Sequence, residues 1–245
     1  MSTTNWKSLQ NGSDIRGVSM EGVPNESVNL SVEVISRIGE AFVGWLKNKG
    51  LSDNITISLG MDSRLTGPAL KEALTESITH CGVDVYDFGL ASSPAMFMST
   101  VTDKEPVTAA IMLPFNRNGM KFYTREGGLE KKDISDILSL ASGDKSFKSK
   151  TIGSVSKRDF MSEYAANFVQ LVREKVNHPD NYKEPLKGFN IVVDAGNGAG
   201  GFYAHKVLQV LGADISGSQF LNPDGRFPNH IPNPEDEIAM MSIIK

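Results

Sequence analysis

Two spacings of apolar side chains alternate along this chain. Val32, Ile35, Phe42, Val43 and Leu46 recur at helical spacing, behind Ser31 as an N-cap and ahead of a C-terminal signal made by Lys47, Lys49 and Gly50. Residues 55–59 form a short β-type run that leads into Gly60-Met61-Asp62-Ser63-Arg64. Thr66-Gly67-Pro68 opens the next helix, with the proline in the first turn and Leu70, Leu74, Ile78 and Cys81 along the apolar face. A second strand is expected at 83–88, then a short helix with Met96 and Met98 as core filler, then a third strand at 107–112. Ile134, Ile137, Leu138 and Ala141 mark a further helix. Strands alternating with amphipathic helices are the βαβ signature, which predicts an α/β fold with a largely parallel sheet sandwiched by helices.

The pattern breaks at 142–159, where a Ser/Lys-rich stretch reads as a solvated linker and divides the chain into domains at 1–150 and 151–245. Beyond it, Phe160, Tyr164, Phe168, Leu171 and Val172 lie on one helical face. A strand at 189–194, a glycine-rich turn at 195–201 and a helix at 203–211 begin a second α/β unit. The chain stops as another helix opens, so this second domain reads as truncated at its C-terminus.

Composition narrows the possibilities. With 245 residues and a net charge of -4, the chain has enough apolar content for a core and no excess of basic residues for a nucleic-acid surface, so nucleic acid is not an expected partner. Small anions remain open, because a few local cations suffice for them. The single cysteine, Cys81, excludes an intramolecular disulfide and reads as a core thiol in a reducing compartment. No run is long enough to cross a membrane and the first residues resemble no leader, so a cytoplasmic location is expected, with a plastid location if a transit peptide precedes this sequence.

The candidate chemistry centres on residues 108–129, an apolar strand followed by a polar turn with Asn118-Gly119 and Lys121. Open α/β sheets place ligands at such strand ends. Between Ile111 and Gly119, however, there is no Ser, Thr, Cys, His, Asp or Glu to act as a nucleophile. Asp14 precedes Arg16 by two residues and Asp62 precedes Arg64 by two, each beside glycines. Each pair is either a local ion pair or a means of holding an arginine toward phosphate. The Gly196–Gly201 run is either a tight strand-to-helix turn or a phosphate cradle, its G-x-G-x-G-G spacing differing from the dinucleotide fingerprint.

Taken in order, NGSDIRG, GMDSRLTG, DFGLASSP, NGMK, VVDAGNGAGG and FPNHIPNPE resemble the α-D-phosphohexomutase superfamily, in particular a plant-like subgroup, from about Asn11 to Glu235. The resemblance implies a mixed-sheet first domain, part of a second, and an intramolecular phosphotransfer on hexose phosphates in carbohydrate metabolism. In that family a serine in a T-A-S-H-x-P segment carries the phosphoryl group, and Mg2+ held by a later aspartate loop neutralises charge. By resemblance Arg16 lies beside the phosphoserine, and Lys121 neutralises the transferring phosphate or moves a proton. Arg64 and Asn118 join them in binding phosphate, while Asp62 supports the site. His230, in the F-P-x-H-x-P segment, has either a packing or a catalytic role.

The sequence departs from that pattern where Met112 joins Leu113 directly, as though about four residues with the serine and its histidine were removed, which takes away the covalent route. The aspartate loop would lie beyond Lys245, so Mg2+ is not expected to bind tightly here and no metal ligand is assigned. The expectation is a catalytically incompetent fragment or splice form of a phosphohexomutase. The alternative is a non-catalytic module that binds hexose phosphate, or a protein partner through its unfinished second domain.

Overall fold

The computed structural model describes residues 4–21, 25–51, 54–113, 119–230, 233 and 236–242. The chain divides into two compact units, Met1–Asp62 with Thr66–Arg158, and Ser63–Leu65 with Asp159–Lys245.

In the first unit a 3-10 turn precedes β1 (Gln10–Asn11) and β2 (Asp14–Arg16), followed by α1 (Val32–Asn48), β3 (Thr56–Met61) and α2 (Gly67–His80). Next come β4 (Asp84–Leu90), α3 (Ser93–Val101), β5 (Ala109–Leu113), β6 (Gly119–Thr124), β7 (Gly127–Gly128), α4 (Lys131–Ser142) and β8 (Val155–Lys157). The sheet order is β1-β2-β6-β5-β3-β4-β8, with β7 on β6. Strands β5, β3, β4 and β8 run parallel, whereas β6 turns back on β5 and pairs antiparallel with β2. The sheet is therefore mixed.

Strand alternation sorts the residues to two faces. Ile57, Leu59, Ala109 and Ile111 join the core beneath α1, α2 and α4, where Phe42 and Phe122 meet at a ring distance of 4.8 Å. On the other face Ser58 Oγ lies 3.1 Å from Ser99 Oγ of α3, and a side chain at Gly60 would run into Met96 and Ala91. The helix signals read from sequence reappear: Ser31 Oγ accepts from Val34 N, and Pro68 sits in the first turn of α2. Met96 is fully buried, but Met98 is exposed and fills no core, because the nine-residue α3 turns only one side to the sheet.

The stretch expected to be a solvated linker is largely exposed, but it is tied to the first unit at several points. Glu40, buried on α1, accepts from Phe147 N at 2.7 Å and Ser146 Oγ at 2.8 Å, and from Arg37 at 3.2 Å. The Phe147 ring lies over Gly44, where a methyl group would overlap it, which accounts for a glycine in the middle of α1. Ser149 N and Gly153 N then donate to His80 O and Thr79 O, and β8 pairs with β4. These partners lie about 70 to 110 positions away in sequence, so local composition does not reveal them.

Cys81 is buried and its thiol donates to Ser77 O. Burial, reinforced by the Glu40 charge, pushes its pKa up to about 11. Its reaction with an aromatic disulfide reagent at pH 8 is expected to be at least roughly 100-fold slower in the native protein than in denaturant. Equal rates would contradict the buried position.

In the second unit α5 (Phe160–Val176) starts at Asp159, whose carboxylate accepts from Ser162 N, and ends at Asn177 in the left-handed region. A small core of Ala165, Val169, Val207 and Leu211 joins α5 to the helical turn Ala204–Leu208. A short helix, α6 (Glu237–Ser242), follows. The strand expected at 189–194 is reduced to parallel bridges at Asn190–Asp214 and Asp194–Gln219. Its neighbour turns at Ile215–Ser218, so Val193 N donates to the Ser218 hydroxyl, not to a backbone carbonyl. Among the described residues no helix is long and apolar enough to cross a membrane.

Candidate functional site

From β3 the chain passes through α2 to β4 on one side, and from β4 through α3, on the other face, back past β3 to β5 on its other side, where the order reverses. Such a reversal opens a crevice at the carboxyl ends of the two central strands, where open α/β sheets bind ligands. Here those ends are Met61-Asp62 and Leu113. They are tied together by Asp62 N donating to Leu113 O at 3.1 Å. Asp62 is itself buried.

Leu113 does not begin a loop. It is the last residue of β5, buried and paired with Met61. Only residues 114–118 then connect β5 to β6, and by sequence they are Pro, Phe, Asn, Arg and Asn. Asn118 lies outside the described residues. Gly119, expected in a turn, already belongs to β6 and pairs with Arg16.

The β2–β6 register places Ile15 opposite Met120 and Arg16 opposite Gly119, which sets Asp14 across from Lys121. Ile15 enters the core, so the alternating side chains of Asp14 and Arg16 face the other way. There Asp14 Oδ2 accepts from Lys121 Nζ at 2.8 Å and from Arg16 Nη2 at 3.0 Å. The carboxylate is 13 % exposed and the two cations 31 % and 32 %. Two cations thus share one carboxylate and are held in place while still partly open to solvent. Such a group can accept a phosphate oxygen without first paying to order two long side chains. Lys121, expected in a turn, lies in β6, and Arg16 lies in β2; strands hold them more rigidly than loops would.

Arg64 belongs to the second unit, where its guanidinium lies 5.1 Å over the Phe227 ring. His230 Nε2 approaches the Asp194 carboxylate at 3.0 Å, with Phe220 edge-on to the imidazole at 5.5 Å. Asp194 also accepts from Gly196 N and Gln219 Nε2. His230 thus braces the glycine-rich turn. Gly201 there packs so closely on the Leu221 carbonyl that no side chain fits, and its neighbour Asn197 is buried.

Sequence inspection noted Asp14 only as a partner for Arg16. Its bond to Lys121 spans 107 positions, and the single local signal was the Asp-x-Arg spacing. Asn197 was missed; Asn between glycines, a common left-handed position, was the available cue.

The first unit is an open, mixed α/β sheet covered by helices. Residues 7–148 match the family model described as phosphoglucomutase/phosphomannomutase, alpha/beta/alpha domain I, and residues 163–245 match the corresponding domain II. The chain belongs to the phosphoglucomutase/phosphomannomutase family. It is 30% identical over 236 residues to a phosphoglucomutase of Neisseria meningitidis, covering 94% of this chain and 46% of that protein. It is 34% identical to a phosphomannomutase of Salmonella montevideo (84% and 44%) and 30% identical to a phosphoglucosamine mutase of Desulforamulus reducens (92% and 50%). The crystal structure of a phosphoglucomutase/phosphomannomutase family protein from Burkholderia thailandensis superposes with a TM-score of 0.76 at 25% identity, over 97% of this chain and 49% of that one. The chain spans about half the length of the curated relatives it matches.

Proposed function

We propose that the first unit of this chain binds the phosphate of a hexose phosphate through Arg16 and Lys121 and does not itself carry out phosphoryl transfer; the resemblance also assigns phosphate binding to Asn118 and, in the second unit, to Arg64. The observation that carries the reading is the pair of cations held by Asp14, Arg16 on β2 and Lys121 on β6, the strand that follows a connection without a nucleophile. A mutase must hold the phosphoryl group covalently while the sugar reverses, and residues 111–119 offer no side chain for that bond. Positioning and charge neutralisation, the other half of phosphoryl transfer, are retained.

Mg2+ is implied by the family. Among the described residues no three His, Cys, Asp or Glu side chains converge to hold a metal ion, so the residues present do not fit it.

Calorimetric titration with glucose 1-phosphate and glucose 6-phosphate tests the reading. Binding is expected, and Lys121→Ala should weaken it about 10-fold, the worth of one charge-assisted hydrogen bond. Lys132→Ala, an exposed lysine paired with Asp136 on α4, should leave it unchanged. Absence of heat at millimolar ligand, or equal effects of both variants, would refute it.

A second reading, a protein-interaction module, rests on the exposed apolar side chains of the second unit, among them Phe168, Leu171, Phe189 and Val192. Light scattering showing a monodisperse monomer at high concentration would count against self-association through that surface.

A further inference from the structure

Asn197 uses all of its polar atoms. Its backbone N donates to Phe220 O at 2.9 Å, and its Nδ2 donates to Asn222 O at 2.9 Å. Its Oδ1 accepts from Asn229 Nδ2 at 2.6 Å. The residue sits at φ +58°, a left-handed conformation that asparagine tolerates far better than most side chains. That conformation aims the Asn197 carbonyl at two donors, Ser63 Oγ at 3.0 Å and Asp224 N at 2.8 Å.

Both donors flank Arg64. Ser63 is its covalent neighbour. Asp224 heads the turn whose carbonyl accepts from Phe227 N at 3.0 Å. Phe227 is itself held at φ +49°, an outlier for a bulky aromatic, and this puts its ring beneath the Arg64 guanidinium. Arg226 braces the same turn by a two-pronged pair with the Asp224 carboxylate, at 3.0 and 2.8 Å. Gly225, between them, lies so close to Ser63 that any side chain would strike its carbonyl.

We propose that Asn197 is the positioning residue for Arg64: its side chain locks the left-handed carbonyl that grips Ser63 on one flank and the turn carrying Phe227 on the other. The glycine-rich turn thereby acts on the arginine through the carbonyl of Asn197. The role assigned to Arg64 rests on the reading that it binds phosphate, whereas its placement by Asn197 can be measured independently.

The test is the NMR signal of the Arg64 Nε–H group, assigned by its loss in Arg64→Lys and shifted by the Phe227 ring current. Phe227→Leu defines the signal of an unstacked Arg64. Asn197→Gly, which keeps the left-handed backbone but loses both side-chain hydrogen bonds, should move the signal at least halfway to that position. Asn197→Asp, which keeps the acceptor for Asn229, should move it less. In the phosphate arm, Asn197→Gly should weaken binding of glucose 6-phosphate by about 3- to 10-fold, as for loss of one oriented donor. An unmoved Arg64 signal in Asn197→Gly overturns the proposal, whatever the phosphate result. Loss of the fold in both Asn197 variants also overturns it, in favour of a purely structural role. A shifted signal without phosphate binding to the unmodified protein upholds the positioning role and refutes the phosphate reading.

Discussion

Incubated with glucose 1-phosphate, a hexose bisphosphate primer and Mg2+, the purified chain is expected to form no glucose 6-phosphate above background. The reason is local. β5 stays in register with β3 through Leu113, and the connection to Gly119 contains only Pro, Phe, Asn, Arg and Asn. None of these can form and release a phosphate ester at neutral pH, so the covalent route is closed. Removal of a covalent nucleophile typically costs on the order of 10^6 in rate, which places any residual activity beneath a coupled dehydrogenase assay. Intact Arg16 and Lys121 cannot compensate, since charge neutralisation assists a transfer only when there is an acceptor for the phosphoryl group. Measurable turnover, abolished by Lys121→Ala, would show that another side chain supplies the acceptor and would overturn this prediction.

Glu40→Ala is expected to destabilise the first unit by roughly 2 to 4 kcal/mol, as for a buried charged acceptor removed from its donors. Phe147 N and Ser146 Oγ lose their acceptor and Arg37 its carboxylate partner, which frees the start of the segment that leads to β8. Melting by circular dichroism should fall by roughly 5 to 15 °C. Burial acts to raise the Glu40 pKa, but the hydrogen bonds from Phe147 and Ser146, with the Arg37 charge, together bring it below the usual 4.5. A depressed folded-state pKa means stability that is fully present above about pH 4.5 and is lost as pH falls through the lower folded value. Glu40→Gln should therefore flatten part of the acid limb of the stability curve. A melting point within 1 °C or so of the parent would show that residues 146–147 are not anchored there.

The elements of the first unit were legible because each has a strong local signature. The α1 stripe, Pro68 in the first turn of α2 and the apolar run at 109–113 depend on neighbours within a few positions. The same locality explains the misses. Residues 142–159 are polar and Ser/Lys-rich, so they read as linker, yet one phenylalanine over Gly44 and one buried carboxylate hold their start against α1. In the second unit the pattern at 189–194 is β-like, but a strand needs a continuous partner, and the turn at 215–218 interrupts it.

The candidate site divides along the same line. The absence of a nucleophilic side chain between Ile111 and Gly119, and the presence of Arg16, Arg64 and Lys121, are matters of residue identity and could be known from the chain alone. The helical and strand periods that define an α/β fold were equally accessible, because burial of one face imposes them residue by residue. Which cations share a carboxylate was not. Asp14 meets Lys121 only because β2 pairs with β6 in one register, and a slip of one residue would turn Asp14 toward the core. Arg64, so similar to Arg16 in its sequence setting, belongs to the second unit, where it lies over Phe227 and its neighbour Ser63 donates to the Asn197 carbonyl. Contacts across 107 and 134 positions arise from chain closure and packing, and no short-range pattern encodes them.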